Sequence, residues 1–161
     1  MEVNKGIDKL VDLIKDVKYC MMLTSLGKEI KGRPMATTKA GDDGLLWFFT
    51  SSSTRKYDEI EEDASIVLCY SDPSANTYVI VNGTAEISRD RKKIEELWSP
   101  ILKAWFPDGI DDPHLVLIKA KPLKAEYWDS SSSSMVVFFN LLKSIVTGKQ
   151  YDEGEHGKIS L

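Results

Sequence analysis

The apolar positions along the chain follow two different rhythms, and the switches between them mark its elements. Ile7, Leu10, Val11, Ile14 and Val17 recur at three- and four-residue steps, with Asp8, Lys9, Asp12, Lys15 and Asp16 between them, which predicts an amphipathic helix. From Tyr19 to Ser25 the apolar run is nearly continuous and predicts a buried strand, and residues 26–31, containing Gly27, predict a turn. Residues 33–40, RPMATTKA, form the next predicted strand. Pro34 within it implies an edge, a bulge, or a backbone that faces something other than a neighbouring strand, a ligand for instance. The Gly41-Asp42-Asp43-Gly44 turn has the chemistry of a hairpin connection, so strands 33–40 and 45–50 are expected to pair antiparallel.

A short helix with Tyr57 and Ile60 inward is predicted over 54–62, then an apolar strand from Ser65 to Tyr70 and a turn at Pro73 and Asn76. Residues 77–87 alternate, with Val79, Val81, Ala85 and Ile87 on one face, and Gly83 suggests a bend or a close approach. Helical spacing returns through Ile94, Leu97, Trp98, Ile101, Leu102 and Trp105, broken at Pro100, and Pro107, Gly109 and Pro113 stiffen the loop that follows. Residues 115–128 predict a long strand kinked at Pro122. Beyond it Leu123, Ala125 and Tyr127 share one face, which puts Trp128 on the other. A serine linker over 130–134 leads to a last amphipathic helix through Met135, Phe138, Phe139, Leu142 and Val146, and residues 148–161 read as a loosely held polar tail. Six or so mostly antiparallel strands with few crossovers predict a mainly β chain of the α+β class, a six-stranded antiparallel closed or split β-barrel with flanking helices. The barrel domain spans 1–129, and the linker, helix and tail span 130–161.

Composition narrows the function classes. A chain of 161 residues with 42% hydrophobic and 29% charged positions is one ordinary globular domain. Its net charge of −4 and the lack of a basic tract argue against nucleic-acid binding. Cys20 and Cys69 lie in apolar runs and read as reduced core residues, and with only His114 and His156 there is no metal-ligand cluster, so no metal is expected. No secretory pattern and no apolar run of the ~18 residues a membrane span needs is present, and the expected location is the cytoplasm. Neither a Gly-x-Gly-x-x-Gly after a strand nor a Gly-Lys-Ser/Thr loop occurs, which excludes the common nucleotide folds.

The stretch with chemistry in it is Leu45 to Glu62, LLWFFTSSSTRKYDEIEE, a buried strand, a hydroxyl-rich turn and a helix start in succession. A helix start leaves backbone N–H groups unpaired with the positive end of the dipole behind them, and Ser51, Ser52, Ser53, Thr54, Arg55 and Lys56 add donors and charge that suit a phosphate. The plain alternative is a loop in which Ser53 or Thr54 caps the helix and the two cations lie in water. If strand 33–40 pairs with strand 45–50, Arg33 joins Arg55 and Lys56 beside that turn. Asp111, Asp112 and His114 form a short polar cluster suited to loop capping rather than catalysis, and no general base stands out.

The combination of RPM at 33–35, LWFFTSSSTRK at 46–56, DRKKIEELWSPILKAWFPDGIDDPHLVLIKAKPLKAEYWD at 90–129 and VTGK at 146–149 resembles the general stress protein 26 family, within the pyridoxamine 5′-phosphate oxidase-like, FMN-binding split-barrel superfamily. The resemblance implies that Arg33 and Thr54-Arg55-Lys56 hold a flavin phosphate and that Phe49, Thr50 and Ser51 lie along the isoalloxazine ring. It further implies that Pro34, Met35 and Ala36 offer backbone groups to the ring edge, with Trp47 or Phe49 as an apolar wall. By the same likeness the protein is a homodimer with FMN, or FAD, at the subunit interface. Trp98, Trp105, Phe106 and Trp128 then become candidates for dimer contacts or the far wall of the pocket, with Trp98 and Trp105 expected in core or interface and Trp128 counted among the cofactor-binding residues. The chain departs from true pyridoxamine phosphate oxidases in having no arginine after Arg91, and His114 and His156 stand in unrelated contexts, so vitamin B6 oxidation is not expected. A flavin-dependent oxidoreductase of unknown substrate, a non-catalytic flavin-binding stress protein, an FAD- or deazaflavin-dependent reductase, and a flavin-free structural dimer all remain open at this point.

Overall fold

The computed structural model describes residues 2–41, 43–129, 134–150 and 155–161. Helix α1 (Glu2–Ile14) precedes β1 (Tyr19–Leu26), β2 (Glu29–Ala36), β3 (Lys39–Ala40) and β4 (Leu46–Ser51). Then follow α2 (Arg55–Glu62), β5 (Ser65–Asp72), β6 (Thr77–Ser88), α3 (Arg91–Leu97), two 3-10 turns (Pro100–Ala104 and Gly109–Asp111), β7 (Leu115–Asp129), α4 (Ser134–Thr147) and β8 (Glu155–Ser160). All pairings are antiparallel, in the order β2-β1-β5-β6-β7-β4-β3, with β8 also on β7. The sheet curls without closing, as a split barrel does, and it has eight strands rather than six. Leu10 and Ile14 of α1 seal an interior of Met22, Phe48, Leu68, Tyr70, Val79, Val81 and Ile118. A second cluster outside the barrel joins Trp47, Phe49, Ile94, Phe106, Leu115 and Leu117.

Three elements depart from the sequence pattern, each for a local reason. The predicted strand 33–40 is two strands. Residues up to Ala36 pair with β1, Arg33 opposite Met22, and only Lys39 and Ala40 reach β4, opposite Trp47 and Leu46. The chain changes partner at Thr37 and Thr38, whose N–H groups donate to the carbonyls of Lys18 (3.0 Å) and Trp47 (2.8 Å). Pro34 therefore sits on an edge strand, where its missing N–H costs nothing.

Leu123 leaves the face it was expected to share. The β6–β7 register steps from Gly83↔Pro122 to Asn82↔Lys124, so Leu123 has no partner on β6 and bulges outward at 47% exposure, its carbonyl accepting from the Leu161 N–H at 3.0 Å, while Ala125 and Tyr127 stay buried. Gly83 makes this bulge fit: a Cβ there would lie 2.3 Å from the Lys121 carbonyl oxygen, which is backbone and cannot step aside. Gly83→Ala is expected to lower the stability of the protein by about 1–3 kcal/mol, read as a fall in the urea midpoint.

The polar tail is held more firmly than its composition suggests. The β4–β7 pairing reaches only Leu46↔Ala120, so the same edge of β7 is open from Lys124 onward, and β8 takes it up through Asp129↔Glu155. Ile159 is buried in the main core, and Glu155 accepts from Tyr127 Oη at 2.5 Å beside Lys9 at 3.5 Å. Of the serine linker, residues 130–133 lie outside the described residues. No described helix is long and apolar enough to cross a membrane.

Candidate functional site

The strand β4 ends in Thr50 and Ser51, and the turn after it is closed by its own hydroxyls. Ser51 Oγ meets Ser53 Oγ at 2.8 Å, and Thr54 Oγ1 donates to the Ser51 carbonyl at 2.9 Å. His114 braces the turn from β7's approach, its carbonyl accepting from the Ser52 N–H at 2.8 Å and its Nδ1 lying 3.3 Å from Ser52 Oγ. Thr54 is the N-cap of α2, yet its hydroxyl is turned back along the turn and no side-chain hydrogen bond caps the helix. The plain reading, a turn whose hydroxyls serve the helix start, fails on this point at Thr54. Arg55 and Lys56 open α2 at the positive end of its dipole, while the Tyr57 N–H already donates to the Thr54 carbonyl at 3.1 Å.

Two depressions meet there. One is an apolar cleft of about 380 Å³ lined by Pro34, Met35 and Ala36 of β2, Phe49, Thr50 and Ser51 of β4, and Thr54 and Lys56. The other is a cationic hollow of about 340 Å³ lined by Lys31, Arg33, Thr54, Arg55, Lys56 and Glu59. Thr54 and Lys56 belong to both. A larger depression of about 470 Å³ on the sheet around Leu23, Val67, Asn82 and Leu123 shares none of these groups.

The two cations that meet here are held differently. Arg33 Nη2 donates to Glu59 Oε2 at 2.6 Å and approaches Thr24 Oγ1 at 3.3 Å. Lys56 Nζ lies 3.0 Å from the Met35 thioether. Burial pushes the Lys56 ammonium down to about 8, the nearby Arg33 guanidinium adds to this, and Glu59 only partly opposes it. A second polar group, Thr50 Oγ1 in the cleft wall, is buried with no partner among the described residues.

The structure brings ten of the eleven residues picked from the sequence to these two joined hollows: Arg33, Pro34, Met35, Ala36, Phe49, Thr50, Ser51, Thr54, Arg55 and Lys56. Arg33 arrives by another route than the hairpin, since β2 lies on β1 and α2 packs across β1 to meet it. Trp128 is elsewhere in the chain, stacked on His156 with ring centroids 4.9 Å apart, His156 in turn bonded to Glu126 at 2.9 Å. Trp47 is buried under Lys93 and does not line the cleft. Trp98 packs edge-on against Phe49 in the second cluster, as expected, whereas Trp105 stands at the cleft mouth with 62% exposure beside Ile101. Asp112 accepts from the His114 N–H and Asp111 pairs with Arg91, the loop-capping role expected of them. The sequence reading missed Lys18, Tyr19 and Leu102 in the cleft and, more consequentially, Glu59 beneath Arg33. Glu59 shares a helical stripe with Lys56 and Ile60, and it and Ile60 are buried, but that spacing alone does not separate it from a surface glutamate. Among the described residues no group of acidic, histidine and cysteine side chains could hold a metal.

A split barrel with an apolar cleft running into a cationic hollow at a helix start is a scaffold for a planar ligand that carries a phosphate. Residues 5–152 match the family described as pyridoxamine 5′-phosphate oxidase like, and the chain belongs to that family. General stress protein 26 of Bacillus subtilis is 36% identical over 103 residues, covering 61% of this chain and 73% of that protein. The crystal structure of a putative general stress protein 26 from Jannaschia sp. CCS1 superposes with a TM-score of 0.78 at 25% identity, covering 99% of both chains. A general stress FMN/FAD binding protein from Xanthomonas citri has the same fold, with a TM-score of 0.70 at 24% identity over 80% of this chain and 92% of that one.

Proposed function

We propose that the protein binds FMN, the ring in the apolar cleft and the phosphate in the cationic hollow, and that it serves as a cytoplasmic flavin-dependent oxidoreductase of the general stress type. The observation that carries the reading is Lys56: a half-buried ammonium set against a thioether and next to a guanidinium is an arrangement a dianion relieves. Arg33, Arg55 and the N-terminal amides of α2 would complete the phosphate site, Met35 and Phe49 would flank the ring, and Thr50 Oγ1 would be available to its polar edge. When bound, the flavin supplies hydride or electron transfer, and the protein positions it and limits solvent access. A terminal phosphate monoester fits the hollow's cations better than a diester, because it carries the second charge; FAD is the alternative. The relative from Xanthomonas citri, described as FMN/FAD binding, supports a flavin of either kind.

A second reading, a flavin carrier or sensor without a dedicated substrate, is favoured by the cleft lining itself. Its polar side chains are lysines, hydroxyls and a tyrosine, with no carboxylate, histidine or thiol among the described residues, and Lys56, the lysine whose proton is loosened to about 8, is shared with the phosphate hollow. In either reading the protein acts as a homodimer with the cleft at the interface. Tyr19, Ile101 and Trp105, all more than half exposed at or near the cleft mouth, would be covered by the second copy.

Purified protein mixed with FMN and gel-filtered is expected to keep absorption bands near ~450 and ~375 nm. It is also expected to scatter light as twice the 18.1 kDa chain. Release of all the FMN would overturn the proposal, and a monomer carrying flavin would overturn the interface alone.

A further inference from the structure

Glu59 is the group in the hollow whose charge opposes an anion, and its setting explains why it is there. It is 2% exposed, on the inward stripe of α2, and its Oε2 accepts from both Thr24 Oγ1 at 2.5 Å and Arg33 Nη2 at 2.6 Å. The charged groups that face it are Arg33 and Lys31 of β2 and Arg55 and Lys56 on its own helix; β1 contributes the uncharged Thr24. From the β6 side, Arg89 bonds the Tyr57 hydroxyl of the same helix at 3.2 Å. Burial alone would drive the Glu59 carboxyl up, but the Thr24 hydroxyl and the Arg33 guanidinium outweigh it and hold the carboxyl below its ordinary value.

We propose that Glu59 is a positioning residue of the anion clamp: it fixes Arg33 through one amino group, so that the guanidinium's remaining donors face the hollow, and its charge lets Arg33 and Lys56 stay charged side by side. The proposal rests on the reading of the hollow as a phosphate site. An Arg side chain has several rotatable bonds, and a guanidinium not held by Glu59 must be ordered by the ligand itself, at the expense of affinity. Without the carboxylate, Lys56 also faces Arg33 uncompensated and gives up its proton more readily. These losses act through Arg33 and Lys56 and are set against one gain, since removing the Glu59 charge unmasks the guanidinium 2.6 Å away toward an anion; the expected effect is the excess of the positioning loss over that gain.

The test compares FMN with riboflavin, which has the same ring and no phosphate, by flavin fluorescence titration from pH 6 to 9.5. Glu59→Gln is expected to weaken FMN roughly tenfold, leave riboflavin unchanged, and move the alkaline fall in FMN affinity to lower pH. In an Arg33→Ala background the same substitution is expected to cause no loss or a gain in FMN affinity, because the guanidinium it holds is gone and the unpaired Glu59 charge then repels the phosphate directly. Thr24→Val, which keeps every charge, serves if Glu59→Gln does not fold, and should give a smaller loss of the same sign. An equal loss with and without Arg33, or an unchanged FMN-to-riboflavin ratio and pH profile, would overturn the positioning role and leave the phosphate site standing. Wild-type protein that binds FMN no better than riboflavin would overturn both.

Discussion

Replacing Arg33 and Lys56 together by alanine is expected to weaken FMN binding by at least about 100-fold while changing riboflavin binding little. Each charge-assisted contact to a phosphate contributes about 1.5–3 kcal/mol. The two side chains meet in one hollow, so their contributions are not independent and the double loss will fall short of the sum. The lower end of one such contact is already a factor of more than ten, and two coupled contacts reach about two orders of magnitude. The apolar wall of the cleft is Pro34, Met35, Ala36 and Phe49, all kept, and the double variant removes from the cleft only the Lys56 side chain that reaches Met35 at 3.0 Å, so most of the ring's contribution should persist. Riboflavin is therefore the internal control. A double variant that loses FMN and riboflavin equally would mean that the cleft has collapsed, and one that keeps FMN would remove the clamp. Arg55, more exposed than either, is expected to matter less, since an exposed cation works in high dielectric and under salt screening.

That these cations would meet was legible in the sequence, but the reason was not. The sequence pattern predicted one strand over 33–40, because a change of hydrogen-bonding partner at Thr37 and Thr38 leaves no mark on hydrophobic alternation. The hairpin turn was real and joined only Lys39–Ala40 to β4. The ten residues of the cleft and the hollow came from two short runs whose donors and cations are written in the chain. Glu59, by contrast, looks like any surface glutamate in RKYDEIEE until its burial and its bond to Arg33 are known. The β8 strand was hidden for a similar reason. A strand with one large inward residue, Ile159, carries almost no periodic signal, and it forms because β7 outruns β4 and leaves an edge to be paired. Trp128 was assigned to the correct face of β7. Its neighbour His156 arrives from β8, which carries almost no periodic signal, and so its surroundings could not be read beforehand.

Lys56 should make flavin affinity and stability pull in opposite directions, and pH should expose both. Its ammonium titrates at about 8 in the folded protein against an ordinary value of 10.5. Between those two values the unfolded chain holds more protons at this position than the folded one, so the lysine's contribution to stability improves as pH rises from 8 to 10.5. Below pH 8 both states are protonated and the full penalty of a charged lysine is present. Lys56→Met, which removes the charge and keeps most of the volume, is therefore expected to stabilise the ligand-free protein at pH 7 by about 1–2 kcal/mol after allowing for solvent screening. That gain should shrink toward pH 9.5. A bound phosphate reverses the sign, because it favours the protonated lysine and draws a proton in above pH 8. FMN affinity should then rise through pH 6 as the phosphate becomes a dianion, level off, and fall above pH 8 with a slope approaching tenfold per pH unit. In Lys56→Met the alkaline fall should vanish, while Arg33→Ala should keep it and move it to higher pH, since a guanidinium does not titrate in this range and its charge no longer depresses Lys56. An alkaline limb that survives Lys56→Met would assign the proton to another group, and a variant both less stable and weaker in binding would make Lys56 a packing residue rather than the charged half of the clamp.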